Sequence, residues 1–192
     1  MGDGLGLLLV TMEPVSLTDD EFNDWYDRDH LPGRLAVPGF LNGVRFVTTA
    51  IPRYLALYDL ANPGVLESEP YRRISGPNDT PWTHRVLARV GGYLRIGLVQ
   101  LSPGTAKLRD DTATLVVAFG AHAQVSPLAQ ATPPSGCSQV RWFSEPRGEA
   151  GALVIESPAE LPPNPDDPSL RAVLATGSWD WVRRYIRYRR TP

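Results

Sequence analysis

The sequence predicts an α+β fold of two ferredoxin-like βαββαβ halves in one chain, their sheets packed face to face as a closed barrel. Three observations lead there. Strand-like and helix-like segments over residues 5–101 follow the order β-α-β-β-α-β, the split βαβ pattern. A similar order returns after a linker that opens with Pro103-Gly104. A ferredoxin-like half on its own leaves one sheet face bare, and a second half in the same chain can cover it. The halves are drawn as residues 1–102 and 103–192.

The elements follow from local sequence. Leu5-Gly-Leu-Leu-Leu-Val10 reads as a buried strand that stops at Glu13-Pro14. Thr18-Asp-Asp-Glu21 is a capping box that starts a helix, and Pro32 is expected to end it just after His30. Pro38-Gly39 turns the chain into a strand over Phe40 to Thr49, and Arg53 to Leu60 makes the next, stopped by Asn62-Pro63. Helical pieces are expected from Val65 to Ile74, broken by Pro70. Another runs from Pro81 to Arg89, with Thr80 as N-cap and proline in its first turn. Gly91-Gly92 should end that helix and Tyr93 to Leu101 form the fourth strand.

In the second half, strands are expected at Thr112 to Phe119, Ser138 to Ser144, Ala152 to Glu156 and Asp180 to Arg189. A short helix is placed at Val125 to Ala131 and another at Ser169 to Ala175. The two halves share element order and no residue-level identity.

Composition narrows the function. A chain of 192 residues with 42% hydrophobic and 21% charged residues is ordinary for a globular protein. A net charge of -2 argues against a dedicated nucleic-acid binder. The single Cys137 excludes an internal disulfide framework and a multi-cysteine zinc site. The three histidines, His30, His84 and His122, lack the spacing of a zinc helix. The N-terminus shows no signal-peptide pattern, no stretch reads as a membrane span, and position 6 is Gly where myristoylation needs Ser or Thr. A cytoplasmic protein without a membrane role is the expectation.

The stretch Glu21-Phe-Asn-Asp-Trp-Tyr-Asp-Arg-Asp-His-Leu-Pro32, followed by Arg34-Leu-Ala-Val-Pro-Gly-Phe40, resembles the EthD-like branch of the dimeric α+β barrel superfamily. Tyr54-Leu-Ala-Leu-Tyr-Asp-Leu60 and Thr80-Pro-Trp-Thr83 are similar to the same branch, so the likeness covers roughly residues 5–100. It implies ferredoxin-like units paired through their sheets. It also implies a pocket for a small hydrophobic, aromatic or polyketide-like molecule, as in the superfamily's cofactor-free monooxygenases, isomerases and cyclases. No cofactor is expected. The second half carries no Trp-Tyr-x-x-x-His equivalent, and His122 follows a strand, so one site per chain is expected. The second half then serves as a built-in partner, making the chain a monomer with an internal pseudo-dimer, or a homodimer of such chains.

Within that frame His30 is the candidate catalytic residue. Imidazole is the side chain whose ordinary pKa suits proton transfer near neutrality. Tyr26, four residues earlier on the same helix face, can donate a hydrogen bond. Asp27 or Asp29 is placed to orient the ring. The alternative is that His30 caps the helix C-terminus and Trp25 and Tyr26 are plain core. Trp25, Trp82, Tyr71 and His84 are the candidate substrate-binding residues, an aromatic-lined cleft with polar tips. The alternative for Trp82 and His84 is core packing and solvent exposure. An open pocket lined by unpaired polar groups would favour catalysis. One filled by the protein's own side chains would favour a non-catalytic binding or assembly module.

The remaining features point to structure. Arg183, Arg184, Arg187, Arg189 and Arg190 read as an edge strand protected by charge, with an anion site or single-stranded nucleic acid as the alternatives. Lys107 is the only lysine, which disfavours Schiff-base chemistry. No phosphate loop, dinucleotide fingerprint, nucleophile elbow or zinc-protease motif is present, and no haem-ligand signature stands out.

Overall fold

A computed structural model describes residues 4–126, 132–160, 164 and 166–190. Eight strands, antiparallel at every seam, close into a barrel in the order β1-β3-β2-β8-β5-β7-β6-β4. They are β1 (Gly6–Pro14), β2 (Val44–Val47), β3 (Tyr54–Leu60), β4 (Val90–Ser102), β5 (Thr114–Gly120), β6 (Gln139–Ser144), β7 (Gly151–Ser157) and β8 (Trp181–Arg187). From β4 the circuit reads β4-β1-β3-β2 and then β8-β5-β7-β6, so both halves of the chain lay their strands down in the same relative order. The seams between the halves are short: β2 meets β8 at Phe46–Arg187 and Val47–Ile186, and β4 meets β6 around Val99–Ser144.

Period-two alternation sorts the side chains into two layers. Leu7, Leu9, Phe46, Leu55, Leu57, Leu98, Leu115, Val117, Phe143, Val154 and Tyr185 point inward and pack the barrel solid. One end of that interior is polar. Arg141, fully buried, donates from Nη1 to Asp59 and from Nε to Glu156, each at 2.7 Å. The same carboxylates receive backbone N–H groups of the linker, Leu108 on Asp59 and Arg109 on Glu156. The connection between the halves is thus tied into the barrel, and Leu108 joins its core.

The outward residues of β1 and β3 (Leu8, Val10, Met12, Tyr54, Ala56, Tyr58) are covered by helices of the first half. These are α1 (Asp19–Trp25), a π-helical turn (Tyr26–His30), α2 (Leu31–Leu35), α3 (Glu69–Arg72) and α4 (Pro81–Leu87). On the other side of the barrel α5 (Pro168–Leu174) covers Val116, Ala118, Val140, Trp142, Leu153 and Ile155.

Several sequence expectations need correction. Pro32 does not end the first helix. The chain runs through it, because the π turn closes a wider ring, with the Leu31 N–H donating to the Tyr26 carbonyl, and leaves Pro32 in the first turn of α2. Pro70 likewise opens α3 behind the Ser68 cap instead of breaking a helix. Gly91-Gly92 lie inside β4, Gly91 paired with Glu13 of β1 and Gly92 at the register shift that follows. The β2 strand is confined to Val44–Val47, with Phe40 making a single bridge to Leu60. The arginine-rich last strand is no edge: β8 sits between β2 and β5, and closure removes the edge that its charge was expected to protect. Of the short helix expected at Val125 to Ala131, residues 127–131 lie outside the described residues, and Val125 and Ser126 are irregular. The Thr18 cap holds as expected, accepting from the Glu21 N–H at 3.1 Å, and Thr80 does the same for Thr83.

Candidate functional site

A cavity of about 380 Å³ lies between the outer face of the first half's strands and its helices. That volume is within the usual range for small-molecule sites, about 300–1,000 Å³. Its apolar side is Leu8, Val10 and Met12 of β1 with Leu87 of α4. Its polar side brings together His30, Arg34, Tyr58, Tyr71, Asp79, Tyr93 and Arg95. Over the second half's strands Trp142, Leu170 and Val173 pack in one buried cluster flanked by Trp179.

The π turn sets the position of His30. Residues five apart diverge around an α-helix, but the wider turn brings the His30 ring to 4.5 Å, centroid to centroid, from Trp25. Tyr26 meets the same ring edge-on at 5.1 Å. His30 makes no capping hydrogen bond and lies within a continuous helical segment, so the end-of-helix reading falls. Neither neighbouring aspartate orients it. Asp29 accepts from the Thr80 and Thr83 hydroxyls, and Asp27 accepts from Arg45. The half-buried ring therefore faces the cavity with packing behind it and open space in front.

Electrostatics keep this imidazole uncharged. Burial, reinforced by the positive charges of Arg34, Arg45 and Arg95, holds its pKa down at about 3. His30 is accordingly in its proton-accepting form across the neutral range. Burial also pushes the phenols of Tyr26 and Tyr58 upward, so both stay protonated, and the Tyr58 hydroxyl donates to that of Tyr26 at 3.3 Å.

The supporting shell is rigid. Arg45, buried on β2, is flanked by the rings of Tyr26 at 4.3 Å and Tyr188 at 4.2 Å, and donates to Asp27 and Asn23. These contacts fasten the π turn to the sheet. Trp25 donates from Nε1 to the Thr83 hydroxyl at 3.0 Å, joining α1 to α4. Arg34, buried, donates to Asp79 at 2.8 Å and to the Ile74 carbonyl at 2.5 Å. Tyr71 stacks on Phe40 and accepts from Arg95 at 2.7 Å.

Of the residues singled out in the sequence, His30 and Tyr71 line the cavity. Tyr26 and Trp25 are buried directly behind His30 and are not part of the lining. Trp82 is half-buried against the helical core, and His84 is exposed on α4; neither lines the cavity. Sequence reasoning misses Arg34, Tyr58, Asp79 and Arg95. Two signals were available: Arg34 is one helical turn beyond His30, and Tyr93 and Arg95 alternate with the inward Leu94, Ile96 and Leu98.

A second groove of about 520 Å³ crosses the β2–β8 seam, lined by Val47, Thr48, Val182 and Ile186 among others. Glu160, Arg183, Arg184 and Tyr185 also line it but no histidine does, and the imidazole set among guanidinium and phenol groups is what makes the first cavity the candidate. Cys137 is half-buried, and burial with the nearby Asp167 charge pushes its thiol up to about 11, away from nucleophilic use. Among the described residues no cluster of three or more His, Cys, Asp or Glu side chains is arranged to hold a metal ion. Among them, too, no helix is long and apolar enough to cross a membrane.

No family model and no curated protein matches this sequence. Solved structures do resemble it. An anthrone oxidase-like protein superposes with a TM-score of 0.55 at 11% identity, over 98% of this chain and 92% of that one. A putative monooxygenase from Lactobacillus acidophilus NCFM gives 0.51 at 9% identity, over 95% and 93%. A putative monooxygenase from Fusobacterium nucleatum gives 0.51 at 8% identity, over 96% and 92%. At such identities the likeness is one of fold alone, and the fold is an eight-stranded antiparallel barrel closed within a single chain.

Proposed function

We propose that this chain is a cofactor-independent enzyme of the EthD-like type. It acts on a small hydrophobic, aromatic or polyketide-like molecule in the cavity beside His30, by proton transfer or oxygenation. In this reading the chain is two ferredoxin-like halves, residues 1–102 carrying the site and residues 103–192 serving as built-in partner. The repeated strand order supports the division. The observation that carries the function is the open cavity itself, where an uncharged imidazole faces an apolar wall with two guanidinium groups nearby.

The chemistry follows from those groups. His30 takes a proton from an activated C–H, and the electron pair left on carbon delocalises into the adjacent carbonyl. Arg34 and Arg95 stabilise that negative charge as it develops. Burial is the main reason the imidazole stays unprotonated and the arginine charges the lesser one; the developing negative charge offsets that lesser part, so His30 gains basicity as transfer proceeds. Tyr26 and Trp25 act behind the ring, as positioning residues. Reprotonation at another carbon gives an isomer. Attack by dioxygen gives oxygenation: a methylene becomes a carbonyl, one oxygen atom is retained and the other leaves as water. The naming of the structural neighbours as anthrone oxidase-like and as monooxygenases favours that second branch.

Anthrone in D₂O tests the reading. The wild type should speed deuterium entry at the methylene and, under air, consume dioxygen, while His30→Gln should lose both. A His30→Gln protein with wild-type exchange and uptake would refute the assignment.

A further inference from the structure

The candidate cavity carries a positive charge that no carboxylate among the described residues neutralises. Arg34 is answered internally by Asp79, the one carboxylate in the lining. Arg95 is not: its Nη2 donates to the Tyr71 hydroxyl at 2.7 Å. A guanidinium has five N–H donors, so that bond leaves most of its fork available. Arg95 stands at the exposed margin of the cavity, with Tyr93 on the same outward face of β4. Beside the charge, on the same outward sheet face, is an apolar floor of Leu8, Val10 and Met12, with Val10 paired directly to Arg95.

We infer that the molecule this cavity takes is an organic carboxylate, with an apolar, ring-sized body against β1 and its carboxylate on the Arg95 fork. The inference rests on the site assigned above and adds the charge of its ligand. A planar carboxylate matches the two parallel N–H groups of a guanidinium, a geometry that a neutral ketone or alcohol cannot use in full. Anchoring the charged end at the margin leaves the body to extend inward toward His30. A carboxylate there also offsets part of the positive field on His30, which receives it from Arg34 on α2, Arg45 on β2 and Arg95 on β4. Ligand binding and the basicity of the imidazole are thereby coupled.

The experiment is titration calorimetry of the full chain with 2-naphthoate and, as a neutral counterpart of the same shape, 2-naphthamide. The wild type should bind naphthoate at least tenfold more tightly than the amide, and added salt should narrow the gap. Arg95→Gln should abolish the preference, and Arg95→Lys should keep part of it. Arg147→Gln, in the exposed β6–β7 turn, should bind as the wild type does. Thermal melts of each variant confirm folding. Equal binding of both probes by the wild type, or an unchanged preference in Arg95→Gln, overturns the inference. If His30→Gln still loses deuterium exchange, the proposed function stands with a neutral substrate. Absence of binding by either probe at millimolar concentration also overturns the carboxylate inference, and the exchange result then decides the reading of the site alone.

Discussion

His30 should make the protein acid-sensitive in a way that one substitution removes. In the folded chain its pKa is about 3, against an ordinary value of 6.5 when unfolded. Between those values the unfolded state binds the proton and the folded state does not, so stability falls as pH drops through 6.5 and goes on falling toward about 3. The cause is burial, helped by Arg34, Arg45 and Arg95; the cavity groups around the ring are Tyr58, Tyr71, Tyr93 and Asp79. Linkage over the interval from about pH 7.5 to about pH 5 gives a loss of about 2 kcal/mol from this one group. For a chain of this size that is a fall of about 4–8 °C in Tm. The assay is a series of thermal melts of wild type and His30→Gln across that range. The wild type should lose the extra increment, and Gln, which does not titrate, should not. Parallel Tm-against-pH curves for the two proteins would show that the ring titrates alike folded and unfolded, and would refute the electrostatic account.

Other parts of the structure make equally definite predictions. Arg141→Met leaves Asp59 and Glu156 buried without their cation, which should cost about 3–5 kcal/mol in chemical denaturation; an unchanged midpoint would show that the polar end of the barrel is unimportant. A chain ending at Ser102 exposes the inward faces of β1, β3 and β4, including Leu7, Leu9, Leu55, Leu57 and Leu98, and should sediment as dimers or larger species; a stable monomer would contradict the shared core. The raised thiol pKa predicts that folded Cys137 reacts with a maleimide at about pH 7.5 many-fold more slowly than the unfolded chain does. Equal rates would mean that the thiol is neither shielded nor raised.

Strand order was legible in the sequence because it depends on local alternation and turn residues. Leu8, Val10 and Met12 face outward while Leu7 and Leu9 face inward; both faces are apolar because helices cover the outside, so the run marks a buried strand without telling its faces apart. Helix starts were legible too, through Thr18 and Thr80. What the sequence concealed was register and which strands meet at the two seams between the halves. Nothing local distinguishes a π turn at Tyr26–His30 from an α-helix that stops before Pro32, yet the turn is what aims His30. The charge of β8 resembles edge protection until β2 is found beside it. The site was half legible for the same reason. His30 and Tyr71 announced themselves by residue type, whereas Tyr58, Asp79 and Arg95 matter through where the sheet and loops deliver them.

The most direct test of the account is where a ligand touches the chain. Backbone chemical shifts followed while an aromatic ligand such as 2-naphthoate is titrated in should move first and furthest at His30, Arg34, Tyr58, Tyr71 and Arg95. Shifts confined to Val47, Val182 and Ile186 at the β2–β8 groove would place binding at that seam and contradict the assignment.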